Sequence, residues 1–212
     1  MIKLTLAVCS LLLFAVQSTA SDGDGLRETV HFLSSLGSRL SGYPGSESAA
    51  DYVEDELRRM GVGDISREPF EITVPLDKGG ELSFVEDGER FALYGMWPNL
   101  VRTTTLPPAG YTGEMIYGGE GDWSDYNGRE LDGRIVLLEF NTWSRWLQAA
   151  SLGARAIVFI EPEQTTGSQG SAKYSTAPLD IPRFWIEREA GLRLRERLRQ
   201  GPAQVVLKGR MD

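Results

Sequence analysis

The sequence predicts a mixed α/β fold: two N-terminal helices, then a mixed β-sheet containing a short βαβ unit. Three observations carry that expectation. Apolar residues recur at helical spacing between Leu26 and Met60. Beyond Pro75 the texture changes to short strand-like runs separated by Gly, Pro and Asp turns. Within Arg134 to Ile160, two near-continuous apolar runs flank an amphipathic stretch, which is the pattern of two buried parallel strands joined by a helix.

In chain order, Leu26, Val30, Leu33 and Leu36 mark the first helix, with Asp22 or Asp24 as cap and Gly37 as terminator. His31 lies on this helix beside Phe32 and reads as a surface or packing residue. Residues 37 to 45 form a turn-rich loop. Ser46 is expected to cap a second helix with Glu47 in its first turn, an inward stripe of Ala50, Val53, Leu57 and Met60, and Gly61 at its end. Ile65 to Val74 alternates as a strand closed by Pro75 and Gly79-Gly80. Strands are then expected at Leu82 to Val85, Arg90 to Tyr94 and Tyr111 to Tyr117. Asp132-Gly133 turns the chain into the strand Arg134 to Phe140. A helix over 143–152, with Trp143, Trp146, Leu147 and Ala150 on one face, leads to the strand Ala154 to Ile160. Residues 163 to 177 read as a polar surface loop. Ile181 to Ile186 is a strand, 187–200 a helix with Ala190, Leu194 and Leu198 inward, and Ala203 to Lys208 a final strand. The five arginines of that helix (Arg188, Arg193, Arg195, Arg197 and Arg199) are diluted by Glu187, Glu189 and Glu196 and read as a solvated face.

Residues 1 to 20 have the order of a secretory signal peptide: Lys3, an apolar run from Leu4 to Val16, then the small residues Ser18-Thr19-Ala20. The run is shorter than the ~20 residues that a membrane-spanning helix needs. Cleavage after Ala20 is expected, giving a secreted or periplasmic chain with no stable membrane span. It would remove Cys9, the only cysteine.

The counts exclude whole classes of chemistry. One cysteine and one histidine cannot build an ordinary structural zinc site or an internal disulfide. A net charge of −8 argues against a nucleic-acid partner, since phosphate neutralisation needs clustered Lys and Arg. No Gly-x-Ser-x-Gly and no phosphate loop occurs. Glu120, Asp122 and Asp125 could in principle do acid–base work as paired carboxylates, but their neighbours Trp123, Ser124, Tyr126 and Asn127 read as an Asx-rich turn. The Gly118-Gly119-Glu120-Gly121 run lacks a following helix signal and so does not read as a nucleotide cradle.

Two stretches together resemble a known family. Leu36-Gly-Ser-Arg-Leu-Ser-Gly-Tyr-Pro-Gly-Ser, with Ala49-Ala-Asp-Tyr-Val and Leu57-Arg-Arg-Met-Gly, resembles the start of M28-family zinc aminopeptidases. Asp132-Gly-Arg-Ile-Val-Leu-Leu and Ala149-Ala-Ser-Leu-Gly-Ala-Arg-Ala-Ile-Val-Phe-Ile are similar to the core of the protease-associated (PA) domain that many such peptidases carry. The resemblance implies three parts: the signal peptide at 1–20, an N-terminal helical segment at 21–78 and a PA-like domain at 79–212. In the family, two zinc ions are held by His and acidic ligands beginning with a His-x-Asp motif downstream of the PA insertion. This sequence has no His-x-Asp, and its one histidine lies upstream. No catalytic, cofactor-binding or metal residue is therefore carried over, no cofactor is expected in this chain, and alone it is expected to be inactive. The sequence stops at Lys208-Gly-Arg-Met-Asp, about where the family's catalytic domain resumes. The expectation is a non-catalytic N-terminal and PA part of a secreted metalloaminopeptidase, with that catalytic domain as partner and peptides or proteins as the substrate of the whole. The alternative is a stand-alone secreted PA-type module that binds protein or peptide through loops including Trp143, Trp146 and residues 163 to 177; core packing is the competing role for both tryptophans.

Overall fold

The computed structural model describes residues 23–99, 101–174 and 178–212. The signal-like segment, Cys9 and Asp22 lie outside them. The chain divides into two compact units after Val74.

The first unit contains α1 (Gly23–Ser35) and α2 (Pro44–Arg59). The second helix begins earlier than its Ser46 signal suggests. Pro44 takes the first turn, where its missing N–H costs nothing, and Ser46 sits inside the helix with its N–H donating to the Tyr43 carbonyl at 2.9 Å. Gly45 is required at this entry, because a Cβ there would come within 2.5 Å of the Leu36 and Ser38 carbonyl oxygens. The inward face is also rotated from the expected stripe. Gly45 is buried and Ser46, Ala49, Tyr52, Glu54, Glu56 and Leu57 are half-buried, so of the expected stripe Leu57 is covered whereas Ala50, Val53 and Met60 are exposed. The reason is Tyr52: its ring stacks on Phe32 with centroids 4.5 Å apart, and its hydroxyl meets that of Thr29 at 2.8 Å. The strand expected over 65–74 is absent, since no ladder partner reaches it among the described residues; Phe70 there is 80% exposed. Arg67 instead binds α2 through Asp51 at 2.7 Å and Glu54 at 2.6 Å.

The mixed sheet expected of the second unit is present, with parallel and antiparallel pairs, and it closes into a barrel. Among the described residues its strands are β1 (Asp77–Phe84), β2 (Arg90–Gly95), β3 (Tyr111–Tyr117), β4 (Ile135–Glu139), β5 (Ala156–Ile160), β6 (Arg183–Ile186) and β7 (Ala203–Met211). They close in the order β1-β2-β6-β5-β4-β3-β7. Gly79-Gly80, expected to end a strand, lies inside β1 at a register shift, with Gly79 at φ +85°, so these residues form a bulge. The expected βαβ unit is present: β4 and β5 pair in parallel around α3 (Trp146–Ser151). That helix is shorter than the expected 143–152, and Trp143 lies outside it. β3 and β6 extend the parallel run on either side, while antiparallel β7 joins β3 to β1 and closes the circle. The segment 163–177, expected as a loop, contains α4 (Gly167–Tyr174), and α5 (Arg188–Arg199) follows β6.

Both faces of the parallel strands are buried, as their near-continuous apolar sequences require. Ile135, Leu137, Val158 and Ile160 face one cluster with Leu82, Phe84, Leu207 and the α5 residues Leu194 and Leu198. Val136, Leu138, Ile157 and Phe159 face a second cluster with Trp146, Ala149 and Tyr126.

Candidate functional site

Because β3, β4 and β5 run parallel, the chain leaves all three at one edge. Ligand sites of parallel α/β sheets form at this edge, where loops are free to vary on a rigid support. Here the edge holds a cavity of about 660 Å³ lined by Tyr117, Glu120, Asp125, Glu139, Asn141, Thr142, Glu163, Arg188 and Arg195, among others.

Glu139, the last residue of β4, anchors the floor. It accepts a hydrogen bond from the Tyr117 hydroxyl at 2.7 Å and one from Arg195 Nη1 at 3.1 Å. Burial, and then the adjoining carboxylate, push the Tyr117 phenol up to about 12. Tyr117 therefore stays protonated and is a donor, not a base. The other carboxylates are also engaged. Glu120 meets Arg145 at 2.8 Å, Glu163 lies 3.7 Å from Arg188, and Asp125 accepts the Asp122 N–H at 3.0 Å. Asp122 and Asp125 form a reciprocal capping box on the one-turn 3₁₀ helix Trp123–Tyr126. The Asx-rich turn is thus what this stretch forms.

The loop after β4 carries an unusual backbone. Trp143 adopts φ +49°, the one non-glycine residue with positive φ among the described residues. Such a conformation costs a bulky side chain about 1–3 kcal/mol and persists only where the surroundings enforce it. Two buried side chains of α4 enforce it here. Gln169 Oε1 accepts the Trp143 N–H at 2.9 Å, and Lys173 Nζ donates to the Trp143 carbonyl at 2.5 Å. The clamped backbone leaves the indole 55% exposed. Lys173 itself is fully buried against the Phe140 and Phe159 rings, and that burial lowers its ammonium to about 8.

Trp146, three residues on, has the opposite fate. It is fully buried, and its indole N–H donates to the Ala172 carbonyl at 2.8 Å. The guanidinium of buried Arg183 lies 5.2 Å from its ring centroid and donates to the Trp97 carbonyl at 3.3 Å. Of the two tryptophans weighed for binding, the fold makes one core and one surface. Gln169, Lys173 and Arg183 do not stand out in the sequence as site residues. The first two were legible as an i, i+4 pair once a helix was allowed there.

The arginine helix is more engaged than a solvated face. Arg195 reaches Glu139, while Arg197 lies over the Phe84 ring at 3.5 Å and bonds Asp87 at 2.7 Å and Glu89 at 2.9 Å. Among the described residues no three His, Cys, Asp or Glu side chains converge as a metal-binding group, and His31 lies exposed on α1. The zinc pair that the family resemblance implies has no fitting donor set among them. Among the described residues, no helix is long and apolar enough to cross a membrane.

No family model and no curated protein matches this chain. Solved structures do. The peptidase M28 precursor of Shewanella amazonensis SB2B overlays 87% of this chain and 46% of its own, with a TM-score of 0.56 and 16% identity. An aminopeptidase from Aneurinibacillus sp. strain AM-1 covers 90% of this chain and 45% of its own at 20% identity, with a TM-score of 0.47. The subtilisin-like protease Apa1 of Pseudoalteromonas sp. AS-11 covers 64% and 33% at 12% identity, with a TM-score of 0.38. The chain spans less than half the length of each. The Shewanella structure shows a shared fold; the other two overlays are too loose to argue from.

Proposed function

We propose that this chain is the non-catalytic N-terminal and PA-domain part of a secreted M28-like metalloaminopeptidase. The observation that carries the reading is a coincidence of order and fold. The Gly-x-Arg-x-x-Gly-x-x-Gly loop between α1 and α2 precedes the parallel β4-α3-β5 unit, and the Shewanella M28 precursor overlays 87% of this chain. In this reading the barrel unit serves substrate access or protein contact, and hydrolysis of peptides belongs to a zinc-binding catalytic domain. Ser21 is the mature N-terminus.

Two measurements test it. The coding sequence beyond codon 212 is expected to continue into a His-x-Asp motif; a stop codon there, with no such continuation, overturns the reading. The purified chain supplied with zinc is expected to leave amino-acid anilides uncleaved, and turnover by this chain would place catalysis within it. The second reading, a stand-alone module that binds protein or peptide, is favoured by the exposed, backbone-clamped indole of Trp143.

A further inference from the structure

Trp143 is held in a conformation that a tryptophan disfavours, by two buried side chains that bind its backbone rather than its ring. The indole contributes little burial in return, since more than half of it faces outward. A second exposed indole, Trp123, opens the 3₁₀ turn that follows the loop after β3 and is 60% exposed. The two loops are fastened together. Arg145, two residues after Trp143, bridges to Glu120 at 2.8 Å and to Asp122 at 3.3 Å, and Asp122 directly precedes Trp123. The cavity beside them, whose wall includes Thr142, carries the carboxylates of Glu120, Asp125, Glu139 and Glu163; Arg145, Arg195 and Arg188 pair with three of these, which leaves one carboxylate in excess. Exposed indole faces attract cations, and an acidic surround selects and steers partners of positive charge.

We propose that Trp143 and Trp123 form the aromatic contacts of a docking surface for a basic polypeptide segment, with lysine or arginine side chains lying over the indoles and facing the carboxylates of the cavity. The clamp from Gln169 and Lys173 presents the Trp143 ring in advance, so the partner does not have to order it. The proposal rests on the barrel unit alone, and its outcome is separable from that of the peptidase reading, which is tested by the downstream sequence.

The test is calorimetric titration of the purified full chain with three probes: an end-capped hexapeptide bearing lysines and leucines, its counterpart with glutamate for lysine, and a neutral gluco-oligosaccharide. The lysine peptide is expected to bind, more weakly at high salt, and the other two are not. Trp143→Ala is expected to weaken that binding about tenfold, and Trp123→Ala by a smaller factor. Trp143→Gly, which relieves the positive φ, is expected to melt at or above the temperature of the unaltered chain while binding no better than Trp143→Ala. Absence of binding by the lysine peptide overturns the proposal, as does equal binding of the glutamate peptide or preference for the oligosaccharide. So does a Trp143→Ala or Trp143→Gly chain that melts far below the original or fails to fold, because the indole is then a structural plug.

Discussion

The helical unit and the barrel unit start from similarly apolar patterns and end in opposite states. In the barrel, closure gives every strand two neighbours. Residues such as Leu82, Leu137, Val158 and Leu207 lose all their exposure. In the helical unit, Tyr52 of α2 stacks on Phe32 of α1 and meets the Thr29 hydroxyl, while Val30, Val53 and Met60 remain in solvent, Met60 at 73% exposure. Periodicity reports which residues can share a face, while burial depends on whether a second surface exists to receive that face.

The comparison is broken most severely at Trp146. Its side chain fills the space between β4, β5 and α4 and satisfies the Ala172 carbonyl. Trp146→Ala is expected to destabilise the barrel unit by about 3–5 kcal/mol, the usual cost of emptying a large aromatic site. Urea unfolding followed by circular dichroism measures this. A loss below about 1 kcal/mol would show that the outer layer is loosely packed and that the contrast between the units is overdrawn.

Next in size is a pH effect confined to the barrel. Lys173 has its folded-state ammonium lowered to about 8 from 10.5 by burial alone. Its unfolded form therefore holds a proton across the window from about 8 to 10.5 that the folded form has released, so stability rises with pH through that window. The gain is about 3 kcal/mol across it. The measurement is the urea midpoint of the unaltered chain against pH, minus that of Lys173→Met, which lacks the titrating group. A flat difference refutes the lowering of the Lys173 ammonium by burial.

Much of this fold is legible in the sequence, and the failures have physical causes. Tyr111 to Tyr117 and the β4-α3-β5 unit are local: alternation, apolar runs and glycine punctuation sit within a few residues of the structure they specify. Barrel closure is not local. It depends on β7 pairing with β1, residues more than a hundred positions away, and no short window contains that information. The helix α4 was hidden because Gly167, Ser168, Gly170 and Ser171 are poor helix formers and its buried stripe includes the polar Gln169 and Lys173. Those two residues shape the candidate site, so the site was less legible than the fold. Trp143 illustrates the same point: its position in the i, i+3, i+4 pattern was real, but the clamp that pulls it out of the helix comes from α4.

Within the helical unit the expected effects are smaller, and they test whether its apolar residues are solvated. Tyr52→Phe keeps the stack on Phe32 and removes the hydroxyl contact to Thr29, so a loss of about 1 kcal/mol is expected in the unfolding of this unit. Val53→Ser lies one residue away on the same helix, at a position 49% exposed. It removes no buried contact, and its cost is expected to stay within about 0.5 kcal/mol. Hydrogen exchange at the α2 amides resolves the pair: protection should fall in Tyr52→Phe and hold in Val53→Ser. Equal losses would mean that Val53, Met60 and Val30 face a covering surface in solution, and the contrast between a satisfied barrel and an unsatisfied helix pair would give way to two units that are both fully packed.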